Sequence, residues 1–315
     1  MASPLLLVPS DPLAPRVPDQ HFMREADAAR QAGVDVAVVD HDAILAGDVR
    51  AAVRRVPPSD GGQTAWYRGW MLPSDAYSRL ATELSARGVR LLTGPTAYRA
   101  AHELPGWYGR FADLTPASVW SPWAAGRTPT SADVGPLIKP LCDGGPGVVK
   151  DYVKSRKHEW HEACFVPDLA DTAAATRVIA RMVELQGDDL TGGIVVRAFE
   201  SFVPDDAGRT LEARIWWVEG SAVLITPHPD APSGTTVEVP TEVRDAVGTS
   251  VHTLGAPFVT TDLALRSDGV WRVIEVGDGQ VSDLPATQDP APLMRALAAA
   301  DLVTPDLDSA GSRVP

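Results

Sequence analysis

One segment near the C-terminal end constrains the fold most, because it predicts a β-hairpin whose register can be counted. Asp268-Gly269 separates two alternating apolar runs, which is the signature of a two-residue type I′ turn. We expect Ser267 to pair with Val270 across that turn. Counting outward along both strands then places Asp262 opposite Glu275 on one face of a sheet, with Cβ atoms roughly 4.5 to 5.5 Å apart.

The predicted pairing of Asp262 with Glu275 brings two negative charges together, and like charges directly opposite in a sheet are destabilising. A bound cation would relieve that repulsion. Mg²⁺ suits the position, since it prefers hard oxygen ligands and commonly binds one or two carboxylates together with phosphates and water. The alternative is an ordinary solvated polar face.

Lys139 is a candidate phosphate ligand, because it lies in a predicted strand over 136–140 just before a glycine-rich loop at 143–147. Backbone amides of such a loop can bind phosphate oxygens. A lysine between apolar neighbours is costly to bury without an anion, which favours a phosphate partner. The loop lacks the spacing of a P-loop, and a surface lysine at a strand end is the alternative.

Arg197 and Arg214 each interrupt an apolar run that predicts a strand, over 194–199 and 213–218 respectively. Arginine is suited to bidentate recognition of phosphate or carboxylate. For either arginine alone, pairing with a structural carboxylate is an equal alternative. Together with Lys139 and the two facing carboxylates, they favour a site that binds a phosphorylated ligand.

Arg68 lies within an aromatic cluster, Trp66-Tyr67-Arg68-Gly69-Trp70. Aromatic neighbours lower the local dielectric, so the guanidinium needs an anionic partner. We expect that partner to be a carboxylate of the substrate. The alternative is a structural carboxylate of the protein, which would make the cluster part of the core.

The remaining pattern predicts an α/β fold. Short apolar strands alternate with helical patterns over residues 1–135, which is typical of βαβ units, and residues 116–136 have the composition of a linker. Beyond it we expect helices beginning after Asp171 and near Thr241, and mostly strands from Gly192 onward. The predicted strand that follows the glycine-rich loop covers 148–153.

Composition narrows the partners. The net charge of −13 argues against a nucleic-acid partner and favours a small polar substrate. The N-terminal apolar run is too short for a signal peptide or membrane span. Two cysteines without metal-ligand spacing argue against zinc or a disulfide framework, so we expect a cytoplasmic protein. Oligomeric state stays open, with a homodimer as one option.

Taken together, these motifs resemble the ATP-grasp superfamily, and within it the clade that is named for two arginines and one lysine. The segments that carry the resemblance span most of the chain and keep one order: Tyr67–Trp70, Leu137–Pro140, Val149–Ser155, Val195–Phe199, Glu212–Arg214, Asp262 and Ile274–Val276. The resemblance implies an N-terminal α/β lobe (1–135) and two α+β subdomains (136–200 and 201–315) that clamp ATP between them.

The resemblance also implies a role for each candidate residue. Lys139 would contact the α- and β-phosphates, and Lys150 or Lys154, four residues apart on one predicted strand face, would reach the nucleotide or an acyl-phosphate. The implied catalytic residues are Arg197, Arg214 and Lys154, with Arg214 at the γ-phosphate. The implied nucleotide ligands are Lys139, Lys150, Glu212 at a ribose hydroxyl, and the backbone of Arg197, Ala198 and Phe199 at the adenine edge.

In the same resemblance, Asp262 and Glu275 would hold Mg²⁺. The superfamily commonly has asparagine two residues after the second metal carboxylate, where this chain has Gly277. Asp278 could supply a third ligand if the strand ends in a bulge, because regular alternation would point it to the other face.

The function implied by the resemblance is a carboxylate–amine ligase that forms an acyl-phosphate from ATP, releases ADP and makes an amide bond on a small-molecule or peptide substrate. Two alternatives remain. The first is nucleotidyl transfer, as in an enzyme that joins nucleic-acid ends and releases AMP; it is suggested by Lys150-Asp151 and the nearby Lys154. The second is an ATP-binding module without catalysis; it is suggested by Gly277, which lacks a metal-binding side chain.

Overall fold

A computed structural model describes residues 4–142, 145–204, 208–229, 231–232 and 235–300. Its first lobe is a parallel four-stranded sheet, in the order β2-β1-β3-β4, packed against helices. These elements are β1 Leu5–Pro9, α1 Met23–Gln31, β2 Val36–Val39, α2 His41–Leu45, α3 Val49–Ala52, β3 Gln63–Tyr67, α4 Ser74–Ala86, β4 Val89–Leu91, α5 Pro95–His102 and α6 Leu104–Phe111.

The middle of the chain forms an antiparallel sheet in the order β5-β8-β6-β7, covered on one side by two helices. Its elements are β5 Ser118–Pro122, α7 Ser131–Ile138, β6 Gly147–Lys150, β7 Phe165–Val166, α8 Thr172–Gln186 and β8 Gly193–Ala198. The C-terminal part forms a second antiparallel sheet in the order β10-β9-β11-β12. Its elements are β9 Glu212–Val218, β10 Ser221–Pro227, α9 Thr241–Leu254, β11 Phe258–Leu265, β12 Trp271–Asp278 and α10 Ala291–Ala299.

The α/β class predicted from sequence is confirmed, and so are the two helices that we expected after Asp171 and near Thr241. The Asp171 carboxylate caps α8 by accepting a hydrogen bond from the Ala174 amide, 2.9 Å. Alternate residues of β9 and β11 pack against α9 on one face of the C-terminal sheet. The other face carries the polar residues of the site described below.

The predicted linker over 116–136 is wrong in two places. Residues 118–122 form β5, which pairs with β8, and residues 131–138 form α7 rather than the start of a strand. The helix begins at a capping box, in which the Thr130 side chain and the Asp133 side chain each accept from the other's backbone amide. Lys139 is therefore at an exposed helical end, in a short 3₁₀ turn, and not in a strand.

The strand predicted over 148–153 ends early, at Lys150. Asp151 stops it, because the buried Asp151 carboxylate accepts hydrogen bonds from the amides of Val153 and Lys154 and so forms a turn. Ser155 then returns to make an isolated bridge with Lys150. Lys154 is exposed in this turn and does not share a strand face with Lys150.

The hairpin of β11 and β12 has the predicted carboxylate pair but a different turn. Arg266 pairs with Val270 across a three-residue turn that ends on Gly269 at φ 89°, so the predicted turn register is wrong by one residue. A bulge after Asp262 then restores the count. Asp262 and Glu275 are direct cross-strand neighbours, as predicted.

Candidate functional site

Arg214 and Asp262 form the centre of the polar face. They are register partners on β9 and β11, and the Arg214 guanidinium donates two parallel hydrogen bonds to the Asp262 carboxylate, 2.7 and 2.8 Å. Its third nitrogen donates to the Asp283 carbonyl, 3.0 Å. Burial lowers the pKa of Arg214, but Asp262 more than offsets this and the net shift is upward. A protein cation thus balances one of the two facing carboxylates.

Glu275 has a basic neighbour of its own. Lys150 Nζ, at the end of β6, lies 3.4 Å from Glu275 Oε1. Burial pushes the pKa of Glu275 up, yet the charges of Lys150, Lys157, Arg214 and Arg197 together hold it below its ordinary value. Lys150 is buried, while the Glu275 side chain is 42% exposed, so Glu275 is the more accessible member of the carboxylate pair.

Glu212 and His228 extend the same cluster. One ligand atom from each of Glu212, His228 and Asp262 lies within 4.8 Å of the others. Burial raises the pKa of Glu212 to about 7, with the neighbouring carboxylates Asp262 and Glu275 adding to the rise against the opposing charge of Lys157. A carboxyl group so placed gains from any cation that comes to rest beside it.

These groups open into a cavity of about 280 Å³. Its lining residues include Arg214, His228, Asp262 and Glu275 on the sheet side, and Met71, His102 and Val153 facing them from the other elements. A larger cavity of about 400 Å³ lies on the opposite face of the sheet, between α9 and the β11–β12 hairpin. It is mostly apolar and contains none of the paired ionic groups, so the smaller cavity is the candidate active site.

The comparisons with known proteins agree on the fold. The family profile that matches residues 140–297, half of the chain, describes an ATP-grasp domain, namely family 3 of the clade named for two arginines and one lysine. The chain belongs to this clade of ATP-grasp proteins. A search of curated proteins gives no match.

Solved structures resemble this ATP-grasp chain over nearly its full length. The ATP-grasp ligase PsnB, complexed with precursor peptide PsnA2 and AMPPNP, is 14% identical with a TM-score of 0.57, covering 95% of this chain and 98% of PsnB. D-cycloserine synthetase DcsG is 16% identical with a TM-score of 0.61, covering 93% and 98%. D-alanyl-alanine synthetase A from Vibrio cholerae O1 biovar eltor str. N16961 is 12% identical with a TM-score of 0.54, covering 95% and 99%. At these identities the likeness is one of fold.

Arg197 of the ATP-grasp chain lies away from the cavity. Its buried guanidinium donates to the Ser118 hydroxyl, 3.1 Å, and to the Ile274 carbonyl, and it stacks 5.7 Å from the centre of the Trp107 ring. Burial lowers the pKa of Arg197 to about 10. Arg197 therefore joins β5 and β8 to the backbone of β12, while its charge also helps to lower the pKa of Glu275, and its catalytic role stays a prediction.

The segment expected at the adenine edge is already engaged through its amides. The Ala198 amide donates to the Ala117 carbonyl, 2.8 Å, and the Phe199 amide to the Pro146 carbonyl, 2.9 Å. The Phe199 ring is 37% exposed and packs edge-on against the Phe165 ring, 5.4 Å between centres. What this segment offers a nucleotide is an exposed aromatic face.

Arg68 has a protein partner and does not line the cavity. It is 1% exposed and donates to both oxygens of Glu25, 2.6 and 2.8 Å, and to the Gln280 carbonyl, 2.9 Å. The predicted substrate-binding role is replaced by the structural alternative. A guanidinium that is 1% exposed, with Nε and both terminal nitrogens already bonded to protein oxygens, is not accessible to a ligand carboxylate.

Asp278 also differs from its predicted role as a third metal ligand. The bulge lies nearer the turn, between Val273 and Glu275, so strand alternation places Asp278 on the other face of β12 from Glu275, although at the strand end it lines the same cavity. Its Oδ1 accepts from the Gln280 amide and side chain, 2.9 and 3.1 Å, while Oδ2 has no partner among the described residues. Complete burial raises the pKa of Asp278 to about 7.

Two histidines of the site were missed by the sequence analysis. His228 continues the ladder beyond β10, where its amide donates to the Glu212 carbonyl, 3.1 Å. A strand over 222–226 was expected from the sequence and corresponds to β10, but a bulge in that strand prevents the register from being counted out to His228. His102 ends α5 and stacks on Tyr98, 5.0 Å between ring centres. Burial lowers its pKa to about 4, against opposing effects of Glu275 and Glu103.

Proposed function

We propose that this ATP-grasp protein is an ATP-dependent carboxylate–amine ligase that releases ADP. The observation that carries the proposal is that Arg214 and the Asp262–Glu275 pair line one cavity, with Lys150 directly behind Glu275 at 3.4 Å. Cations beside facing carboxylates suit the transfer of a phosphoryl group, whose negative charge must be neutralised. Ligases that share the fold support the choice of reaction class.

The donor set fits Mg²⁺ with ATP. Asp262 and Glu275 would hold the ion, because their oxygens are hard ligands and stand on adjacent strands. When bound, the ion would neutralise charge on phosphate oxygens. The partial exposure of Glu275 leaves its carboxylate accessible from the cavity.

Arg214 and Lys150 would bind the phosphates. Asp262 and the Asp283 carbonyl fix the Arg214 guanidinium, so little side-chain freedom remains to be lost when an anion binds. Lys150 is the better placed of the two candidate lysines, since it is buried beside Glu275 while Lys154 is exposed in the turn after β6. At 3.4 Å its contact with Glu275 is loose enough to be exchanged for a phosphate.

The acceptor would enter from the first lobe. Met71, His102 and Val153 line the cavity opposite the carboxylates and give that wall an apolar surface with one imidazole. The PsnB structure contains a precursor peptide and DcsG is a D-cycloserine synthetase. By analogy we propose a peptide or a small amino-acid-like molecule as the substrate.

The boundaries at 135/136 and 200/201 remain proposals, and the first of them would separate β5 from its own sheet. None of the described helices is long and apolar enough to cross a membrane. A cytoplasmic location and a homodimer likewise remain proposals.

A product assay tests the function. The protein is incubated with ATP and Mg²⁺ against panels of amino acids, small carboxylic acids and peptides, and the nucleotide products are separated. The proposal predicts ADP and phosphate together with an amide product. AMP release would instead indicate nucleotidyl transfer, and ATP binding without turnover against any panel would indicate a binding module.

A further inference from the structure

Three side chains that commonly bind metals, Glu212, His228 and Asp262, meet on adjacent strands of the C-terminal sheet, and His228 and Asp262 line the cavity. Glu212 begins β9, His228 follows directly after β10, and Asp262 lies within β11. One ligand atom from each lies within 4.8 Å of the others. The backbone ladder fixes their relative positions, because the His228 amide donates to the Glu212 carbonyl and β9 pairs with β11.

The separation of the His228 and Asp262 side chains suits a bridging ion better than a direct contact. His228 Nε2 and Asp262 Oδ2 are 3.9 Å apart, which is too long for a hydrogen bond. Ligand bonds of about 2.1 Å at tetrahedral or octahedral angles bring two donors to roughly 3.0–3.5 Å. A shift of about half an ångström in one side chain would therefore bring this pair to bridging distance. The ligand atoms of the whole set lie within 4.8 Å of one another, so the Glu212 side chain would also have to close in.

Both carboxylates have coordination capacity left. Each oxygen of Asp262 accepts one hydrogen bond from Arg214, and an ionised carboxylate has about four lone-pair sites in all. Within the described parts of the chain, the Glu212 carboxylate has no hydrogen-bond or ion-pair partner. On the far side of β11, Gly277 contributes no side-chain ligand. The side-chain ligands within reach of an ion on the β9–β10 side of Asp262 are Glu212 and His228.

We propose that Glu212, His228 and Asp262 form a divalent-cation site with one imidazole and two carboxylate ligands, which binds first-row transition ions more tightly than Mg²⁺. Imidazole is a preferred ligand of such ions, whereas Mg²⁺ requires oxygen. The inference goes beyond the proposed function, because it assigns a nitrogen ligand and a cation preference to the β9–β10 side of Asp262. It does not require the ligase reaction to occur.

Pulsed electron paramagnetic resonance with Mn²⁺ alone tests the site. The full-length protein should bind Mn²⁺ and give the nitrogen coupling of a directly bound imidazole. His228→Gln should abolish that coupling and weaken Mn²⁺ binding by about tenfold or more. The matched control is His252→Gln, at an exposed position near the end of α9, which should behave as the wild type.

Three results would overturn the proposal: no Mn²⁺ binding by the wild-type protein, bound Mn²⁺ without nitrogen coupling, or a coupling that survives in His228→Gln. Glu212→Gln is a second variant, expected to keep the coupling while weakening the affinity, and unchanged affinity there would remove Glu212 from the ligand set. The product assay is separate. Nitrogen coupling without ADP release would support this metal site and contradict the ligase function. ADP release without nitrogen coupling would support the ligase function and contradict this metal site.

Discussion

Arg214 determines how single substitutions at the carboxylate pair should behave. Asp262 is 5% exposed and bonded to Arg214 through both oxygens, whereas Glu275 is partly exposed and loosely paired with Lys150. Both carboxylates are proposed to bind Mg²⁺, but only Asp262 also holds a buried protein contact. Removing the Asp262 charge leaves the buried Arg214 guanidinium without its partner. Removing the Glu275 charge does not.

We therefore predict that Glu275→Gln and Asp262→Asn both lose Mg²⁺-dependent ADP release, but that only Asp262→Asn loses stability, by about 3 kcal/mol. Chemical denaturation and the product assay on the same preparations measure the two effects. Near-normal turnover in Glu275→Gln would remove that residue from the site. Equal stability losses would contradict the difference in burial.

Lys150 and Lys139 form a second matched pair. Lys150 is buried beside Glu275, and Lys139 is exposed at the end of α7. Lys150→Ala should weaken ATP binding about tenfold or more, the loss expected for a charge-assisted phosphate contact of about 1.5–3 kcal/mol. Lys139→Ala should change it less, and calorimetric titration with ATP compares them. A larger loss of ATP affinity in Lys139→Ala than in Lys150→Ala would support Lys139 as the phosphate ligand, as the sequence predicts.

Asp278 and Glu212 should make stability depend on pH. The pKa of each is raised to about 7 in the folded protein, chiefly by burial. A carboxyl group that holds its proton more tightly when folded stabilises the protein fully below its unfolded pKa of about 4, and that contribution is lost as pH rises through the folded value. The free energy of unfolding should therefore fall between pH 4 and pH 7.

Asp278→Asn should reduce that slope, because it removes one of the two titrating groups. One group contributes at most about 1.4 kcal/mol per pH unit. Urea denaturation at pH 5, 6, 7 and 8 measures the slope in both proteins. An identical slope in the variant would mean that Asp278 titrates normally.

At the scale of elements, α7 depends on its N-terminal cap more than on its composition. Thr130 and Asp133 satisfy each other's amides at the start of a helix that contains proline at position 136. Thr130→Ala should cost about 1 kcal/mol of stability. Thr128→Ala, an exposed position two residues earlier, is the control and should be neutral. Equal melting temperatures for the two variants would show that the cap does not stabilise the helix.

Elements with regular periodicity could be predicted from sequence, and elements fixed by side-chain to backbone bonds could not. The apolar spacing of α8 and α9 and the alternation of β11 and β12 were sufficient to identify them. β5 and α7 have a loop-like composition, and β6 ends where the Asp151 carboxylate bonds the next amides. Such contacts depend on conformation that composition does not reveal.

The residues of the candidate site likewise fall into some that could be predicted from the sequence and some that could not. The Asp262–Glu275 pair could be counted from strand alternation, because the shifts of the turn and the bulge cancel. Arg214 was a candidate from its residue type, and its pairing with Asp262 across β9 and β11 was not predicted. His228 depends on a bulged strand, and His102 on the docking of α5 against β12. Neither position follows from local pattern.

At the scale of the whole molecule, Arg68 joins the first lobe to the C-terminal sheet. It follows β3, bonds Glu25 on α1, and reaches the Gln280 carbonyl beyond β12. Arg68→Ala should cost roughly 3–5 kcal/mol, because the Glu25 carboxylate would stay buried and unpaired.

The matched control for this prediction is Arg79→Ala, in an exposed pair with Asp75 on α4, where the change should be within about 0.5 kcal/mol. Thermal melting compares the two variants. ATP binding by folded Arg68→Ala should be unaffected. A stable Arg68→Ala protein with impaired acceptor binding would restore the substrate role.

The buried contacts of Arg68 also bear on how the cavity opens. Pulling the first lobe away from the turn after β12 would break the hydrogen bonds that the buried Gln280 carbonyl accepts from Arg68 and from the Gly69 amide, and this opposes a hinge at that junction. These two parts should therefore move as one rigid body. Entry and exit of a nucleotide would then require the sheet of β5 to β8 with its two helices to move, and that motion has to break the hydrogen bond from Arg197 to the Ile274 carbonyl of β12.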